Sequence, residues 1–363
     1  MQNERRAAIR AEAARIETAF ETAGAMRIEA DALLDAETLL DLYGEDIRGR
    51  AYVTHDPVMG ERMMRPDFTV PLVERHMAEG AEPARYCYNG PVWRMQEPGS
   101  DRPSEYVQVG FELFARDDRS ANDAEVFQLF ASVLPKGLQV TTGDVGLLSA
   151  AVAGLSMPDY RRDALMRHLW RPKRFAELLS RFSKAGTQDA ARADLITKSM
   201  VNGPDVMIEE AGAFVGAGSE AEILERIARL TKDAQEKPLP EVEQAALTEL
   251  LELETDLASA RNALEPLAKM LKIEDALQAF DARVAALDAA GVDLKATRFA
   301  GAFGRTSMEY YDGFVFAFAD GSATVASGGR YDALTQQIGA GREIPAVGGV
   351  IRPEILVDLG RAS

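Results

Sequence analysis

The sequence predicts an α+β fold: an antiparallel sheet core flanked by helices, assembled from both ends of the chain, with a helical insertion between them. Three observations predict it. Short β-rich segments punctuated by Pro and Gly fill residues 51–114, and strand signals return between 294 and 356 after a long helical stretch. The 363 residues, 47% hydrophobic and 27% charged, are enough for one large sheet domain carrying an inserted module. Strands on both sides of a helical segment imply one sheet built from the two ends.

Ile9, Ala13, Ile16 and Phe20 recur at helical spacing and Gly24 follows, so the chain opens with an amphipathic helix. Tyr86–Tyr88, Val92–Met95 and Tyr106–Phe114 read as strands separated by Gly90-Pro91 and Pro98-Gly99. Asp123–Val133 is helical, and Leu138–Asp144 is a strand leading into a helix near Gly146. From Pro158 to Gly291 Leu, Ala, Glu and Arg alternate at helical period, with breaks at Gly203-Pro204, Gly216–Gly218 and Pro238–Pro240. Gly313–Ala319, the Asp320-Gly321 turn and Ala323–Ala326 form a hairpin, and a last helix starts at Pro353. The partition expected is a core of residues 1–157 and 292–363 with a helical insertion of 158–291.

Composition excludes several function classes. One cysteine, Cys87, and three histidines, His55, His76 and His168, cannot make an internal disulfide or a Cys/His zinc cluster. Asp and Glu number 58 against 41 Lys and Arg, a formal charge of −17 that repels phosphate backbones unless a basic stripe is segregated. The densest basic run, Arg161–Arg174, is interleaved with Asp163 and apolar residues, so nucleic acid is not an expected partner. No apolar run reaches the roughly 18 residues of a membrane span, and Met1–Ile16 has no signal-like apolar stretch. The expected compartment is the cytoplasm.

Among motifs, Gly216-Ala-Gly218-Ser-Glu-Ala221 matches a dinucleotide fingerprint only formally, because the segment before it has helical spacing and charges where a buried strand is needed. Ser219 reads better as the N-cap of a helix Glu220–Leu230. More informative is a dispersed polar set in the β-rich regions: Asp67, Thr69, Arg94, Gln108, Glu112, Tyr310 and Tyr311. Gln108, Gly110 and Glu112 share one face of a strand, with Val109, Phe111 and Leu113 on the other. A free amino acid needs acceptors for its ammonium, a cation or amide for its carboxylate and partners for its side chain, and this set offers each. On chemistry alone a solvated sheet face is the favoured reading of the same pattern.

The motifs around these residues resemble class II aminoacyl-tRNA synthetases, and specifically the histidyl-tRNA synthetase core. Met64-Arg-Pro-Asp-Phe-Thr69 is similar to Leu-Arg-Pro-Glu-x-Thr, and Tyr88-Asn-Gly-Pro-Val-Trp-Arg-Met-Gln96 to motif 2. Gln108–Glu112 is similar to Gln-x-Gly-x-Glu, Glu309-Tyr-Tyr311 to Leu-Asp-Tyr-Tyr, and Gly328-Gly-Arg-Tyr-Asp332 is identical to a family element. Ala346-Val-Gly348 opens the segment that leads to motif 3. The departures bear on function. Where motif 3 ends in Gly-Leu-Glu-Arg, this chain has Arg352-Pro-Glu-Ile355, so Ile355 stands for the ATP-gripping arginine. Gln96 replaces a glutamate, Thr306 replaces the histidine-specific arginine with Arg305 beside it, and Met26–Asp31 lacks the proline of motif 1. No anticodon-binding domain is expected.

A synthetase-like core without that arginine or that domain resembles the regulatory-subunit family of ATP phosphoribosyltransferase. The resemblance implies a subunit without catalysis, cofactor or metal of its own that forms a homodimer, joins a short-form catalytic subunit in a hetero-octamer and conveys histidine inhibition. It implies L-histidine as an allosteric ligand, with Asp67, Thr69 and Gln108 at the ammonium, Arg94 and Gln108 at the carboxylate, and Glu112 with Tyr310 or Tyr311 at the imidazole. The competing readings are a truncated synthetase or adenylate-forming paralogue, and a stand-alone amino-acid-binding module.

Overall fold

The computed structural model describes residues 2–43, 49–96, 99–100, 102–184, 189–211, 219–305 and 310–362. Thr306, Glu309 and the Gly216–Gly218 motif lie outside these described residues.

Twelve strands occur among them: β1 (Met26–Arg27), β2 (Leu33–Asp35), β3 (Val53–Asp56), β4 (Gly60–Met64), β5 (Ala84–Trp93), β6 (Glu105–Phe114), β7 (Gln139–Asp144), β8 (Glu254–Asp256), β9 (Thr297–Ala300), β10 (Phe314–Asp320), β11 (Ala323–Arg330) and β12 (Ala346–Ile351). Nine of them form one sheet in the order β1-β5-β6-β12-β11-β10-β7-β9-β8, and β2-β4-β3 form a second. The large sheet is antiparallel except for the β1/β5 and β7/β9 pairs. Its middle joins N-terminal to C-terminal sequence: β6 pairs with β12, Glu112 opposite Gly348 and Val109 opposite Ile351. The sheet is therefore built from both ends of the chain, as the sequence pattern requires.

The opening helix runs Gln2–Thr22 and lies against β5 and β6, seating buried Phe20 on Phe111 and Phe130 at centroid distances of 5.5 and 5.4 Å. The helix Arg119–Val133 starts at Asp118, whose side chain accepts from the Ser120 and Ala121 backbone N–H groups. It brings Phe127 against Phe314, Phe316 and Phe318, the alternating aromatics of β10. The same helix is tied to β11 and to the helix Glu274–Ala289 by buried ions. Arg330 donates to Asp123 at 3.0 and 2.7 Å and to Asp332 at 3.0 Å, and Arg283 pairs with Asp123 at 3.5 Å and with Asp144.

Two compact units are present. The first comprises Met1–Leu148, Leu250–Pro266 and Ile273–Ser363, and the second Ser149–Glu249 with Leu267–Lys272. Compared with the partition expected at 158 and 291, the first unit takes in β8 and the helix Glu274–Ala289. The physical reason is packing that helical periodicity does not reveal. Phe280 meets Phe299 of β9 at 5.2 Å, and Arg283 supplies the second cation for Asp123. The second unit is helical, with Phe175, Leu178, Leu179 and Phe182 buried from the helix Pro172–Phe182. Its Arg161, 3% exposed, donates to the Asp233 side chain at 2.7 Å and lies over Phe182 at 4.9 Å. Ser219 caps the helix Glu220–Gln235 in a reciprocal box with Glu222, as its spacing implies.

Candidate functional site

A cavity of about 370 Å³ lies in the first unit, lined by Asp67, Thr69, Arg94, Gln108, Tyr310 and Tyr311, with Arg102 and Arg352 beside them. Six of the seven dispersed polar residues singled out in the sequence thus meet in one place. The seventh, Glu112, sits behind Thr69, which donates to its Oε1 at 3.2 Å. Tyr310 in turn donates to Thr69 Oγ1 at 3.3 Å, so Glu112 reaches the cavity wall through a hydroxyl.

β6 positions this set. Gln108 and Glu112 are each 1% exposed, so the polar face of the strand is as buried as the apolar one. Gly110 lies between them because the Tyr88 side chain crosses the strand there; a Cβ at 110 would stand 2.1 Å from its ring. Tyr88 stacks on Phe68 at 4.4 Å and donates to Glu112 Oε1 at 3.0 Å. On the other oxygen Tyr331 donates to Oε2 at 2.7 Å. The phenols bonded to Glu112 are therefore Tyr88 and Tyr331, whereas Tyr310 and Tyr311 line the cavity and pack edge to face at 5.0 Å. Burial pushes the Glu112 carboxyl up to about 8 against three donors that pull it down, and nearby Asp67 adds to the rise. Glu112 accordingly favours its protonated form at neutral pH, hydrogen-bonded behind the cavity lining.

Gln108 is the clearest pointer to a ligand. Its Oε1 is buried with no hydrogen-bond partner among the described residues, in a cavity-lining side chain. Such an acceptor is costly unless a donor arrives, and an ammonium group is a fitting donor. Arg94 is held by its Nε donating to the Pro66 carbonyl at 2.8 Å, which ties the end of β5 to the segment carrying Asp67 and Thr69. Arg305 is buried and does not line the cavity. Sequence reasoning missed Tyr88, Tyr331, Arg102 and Arg352. The first two belong to motifs already quoted, and Arg352 stood among the departures.

A second cavity in the same unit, about 390 Å³, is walled by the Arg119, Arg283, Arg330, Asp123, Asp144 and Asp332 ion pairs that hold the sheet to its helices. Among the described residues, no group of three or more His, Cys, Asp or Glu side chains is placed to hold a metal ion. None of their helices is long and apolar enough to cross a membrane. Burial raises the Cys87 thiol to about 12, which leaves it inert.

Comparison with known proteins bears on the family and the fold. The family profile described as histidyl-tRNA synthetase matches residues 1–242 and 222–356. ATP phosphoribosyltransferase regulatory subunits from Sinorhizobium medicae and Agrobacterium fabrum are 33% and 34% identical to the chain. The first alignment covers 91% of this chain and 92% of the relative; the second covers 89% of each. A solved structure from Bacillus halodurans, described as an ATP phosphoribosyltransferase regulatory subunit/histidyl-tRNA synthetase, superposes with a TM-score of 0.68 at 21% identity, covering 97% of this chain and 78% of that one. Histidyl-tRNA synthetase from Nostoc sp. gives 0.60 at 15%, covering 96% and 70%. At those identities the two structures establish the fold, a class II synthetase-like sheet flanked by helices.

Proposed function

The chain belongs to the family of ATP phosphoribosyltransferase regulatory subunits, and from that premise we propose that it regulates the first step of histidine biosynthesis without catalysing a reaction itself. Its partner is a short-form catalytic subunit, with which homodimers of this chain assemble into a cytoplasmic hetero-octamer. L-Histidine binds the cavity beside β6 and lowers the activity of the complex. One observation carries the reading: the cavity keeps the amino-acid donors and acceptors Asp67, Thr69, Arg94, Gln108, Tyr310 and Tyr311, while position 355, where adenylate chemistry would want a cation on the phosphates, is Ile. The pocket is fitted to hold an amino acid and poorly fitted to activate it.

Reconstitution tests this. The chain is expected to co-purify with the catalytic subunit, and phosphoribosyl transfer from it is expected to require the chain and to fall when L-histidine is added. Transfer at the same rate with and without the chain would refute the reading, and histidine-dependent ATP–pyrophosphate exchange by the chain alone would replace it with a ligase.

A further inference from the structure

The net charge of −17 makes the composition of the cavity wall unusual: three arginines, Arg94, Arg102 and Arg352, against one carboxylate, Asp67. They are far apart in sequence. Arg94 and Arg102 flank the connection between β5 and β6, and Arg352 directly follows β12. The ladder of β12 on β6 pairs Val350 with Gly110 and ends with Ile351 opposite Val109, the residues next to Arg352 and Gln108 in sequence. Arg352 and Gln108 both line the cavity.

The Arg352 guanidinium lies over the Tyr106 ring at 5.4 Å, and the Arg94 guanidinium approaches the same ring at 5.9 Å. A guanidinium resting on an aromatic face has its planar fork pre-oriented, which suits a carboxylate or a phosphate. No carboxylate of a described residue forms an ion pair with Arg352. Burial disfavours its charged form most, Arg94 and Arg102 add to that, and Tyr106 and Glu354 act the other way. Three guanidiniums share one half-enclosed space with the single carboxylate of Asp67, so a further anion there would ease their mutual repulsion. The cation that the synthetase resemblance would supply at position 306 is replaced by Thr, and Arg305 lies outside the cavity lining.

We infer that Arg352, with Arg94 and Arg102, forms an oxyanion subsite that takes the α-carboxylate of the amino acid bound in this cavity. The inference rests on the amino-acid reading above and deepens it. Gln108 and Asp67 face the ammonium, and the arginines hold the carboxylate. The ligand is thereby limited to molecules with a free carboxylate, and decarboxylated or reduced analogues of histidine are excluded from tight binding.

Calorimetric titration of the full-length chain tests it with four probes: L-histidine, histidinol, histamine and inorganic phosphate. Arg352→Gln is expected to weaken L-histidine roughly ten- to hundredfold, the loss of one charge-assisted bond, and to leave histidinol and histamine little changed. Arg352→Lys, which keeps the charge without the fork, is expected to fall between. Equal losses for L-histidine and histidinol, or no loss for either, would overturn the assignment. If Arg352→Gln abolishes phosphate binding and spares L-histidine, the subsite serves a free oxyanion and the carboxylate assignment falls. If the wild-type chain takes up no L-histidine while phosphate binds through Arg352, the amino-acid reading fails and the oxyanion subsite stands. Should Arg352→Gln not fold, judged by its circular-dichroism melt, Arg352→Lys and the exposed Arg102→Gln carry the test. A loss selective for carboxylate-bearing probes is then expected, and its absence in both overturns the proposal.

Discussion

Glu112→Gln converts the buried carboxyl into a neutral group of the same shape, and its effect on stability should depend strongly on pH. In the folded chain the carboxyl titrates at about 8, against 4.5 when solvated, because burial outweighs the three hydroxyl donors from Tyr331, Tyr88 and Thr69. Between those values the folded chain binds a proton that the unfolded chain does not. The resulting stabilisation is fully present below 4.5 and is lost as pH rises through about 8. Relative to high pH, it amounts to about 4 kcal/mol at pH 5, about 1.4 at pH 7 and nearly nothing at pH 8.5. The glutamine variant has no such proton to lose. Urea unfolding followed by circular dichroism at pH 5, 7 and 8.5, at one ionic strength, should show the variant gaining about 4 kcal/mol on the wild type across that range. Other titrating groups, such as Asp312 at about 7, are common to both proteins and cancel in the comparison. A difference that stays constant with pH would show that Glu112 is ionised throughout. The same flat profile would follow if the three donors won over burial, because a carboxyl titrating below 4.5 is ionised in both states across this range.

Arg330→Met should lower stability by about 3–5 kcal/mol in the same assay, because it strands Asp123, 2% exposed, with Arg283 as its remaining cation. Gly348→Ala would place a Cβ 1.6 Å from Glu112 Oε2 and 2.6 Å from the Phe111 carbonyl, so a drop above about 2 kcal/mol is expected, visible as a lower thermal midpoint. Arg85→Ala removes a bidentate pair with Glu125 at 2.8 and 3.0 Å on a solvated surface, and the urea midpoint should move by less than about 1 kcal/mol equivalent.

What was legible in the sequence was periodic or local. The alternating face of β6, the aromatics of β10, the cap at Ser219 and the opening helix all follow from spacing and side-chain chemistry. Gly90-Pro91 read as a break between two strands, yet β5 runs through it, with Gly90 paired to Gln108 and Pro91 to Val107. A proline is tolerated there because β1 pairs with β5 only at Tyr86 and Cys87, leaving the far edge at position 91 without a ladder partner that needs its N–H. Distance in sequence hid the rest. Glu112 and Tyr331 are 219 residues apart, and no period of either strand announces that a phenol from the turn after β11 closes on a carboxyl of β6. The helix Glu274–Ala289 shows the same limit, since its apolar stripe is visible but the identity of what it packs on is not.

Arg352 shows what a position-by-position comparison cannot weigh. Taken singly, the exchange of an arginine for Ile355 and of another for Thr306 subtracts two cations from a synthetase-like site, and the pocket looks weakened for any anion. Register changes that account. Arg352 directly follows β12, whose ladder on β6 ends with Ile351 opposite Val109, and it lines the cavity with Gln108 and with Arg102 from the connection after β5. Positive charge is thus present in the cavity, from Arg94 of the motif 2 match, from Arg102 outside the quoted motifs and from Arg352 among the departures. Cations that grip a triphosphate must also reach phosphates beyond the amino acid, and Ile355 in the first turn of the helix Pro353–Ala362 supplies none there. The cavity thus has three guanidiniums and Gln108 in its lining, while position 355, outside that lining, carries an aliphatic side chain. On the function proposed above that combination suits an amino-acid sensor, because its ligand must leave unchanged when the concentration falls.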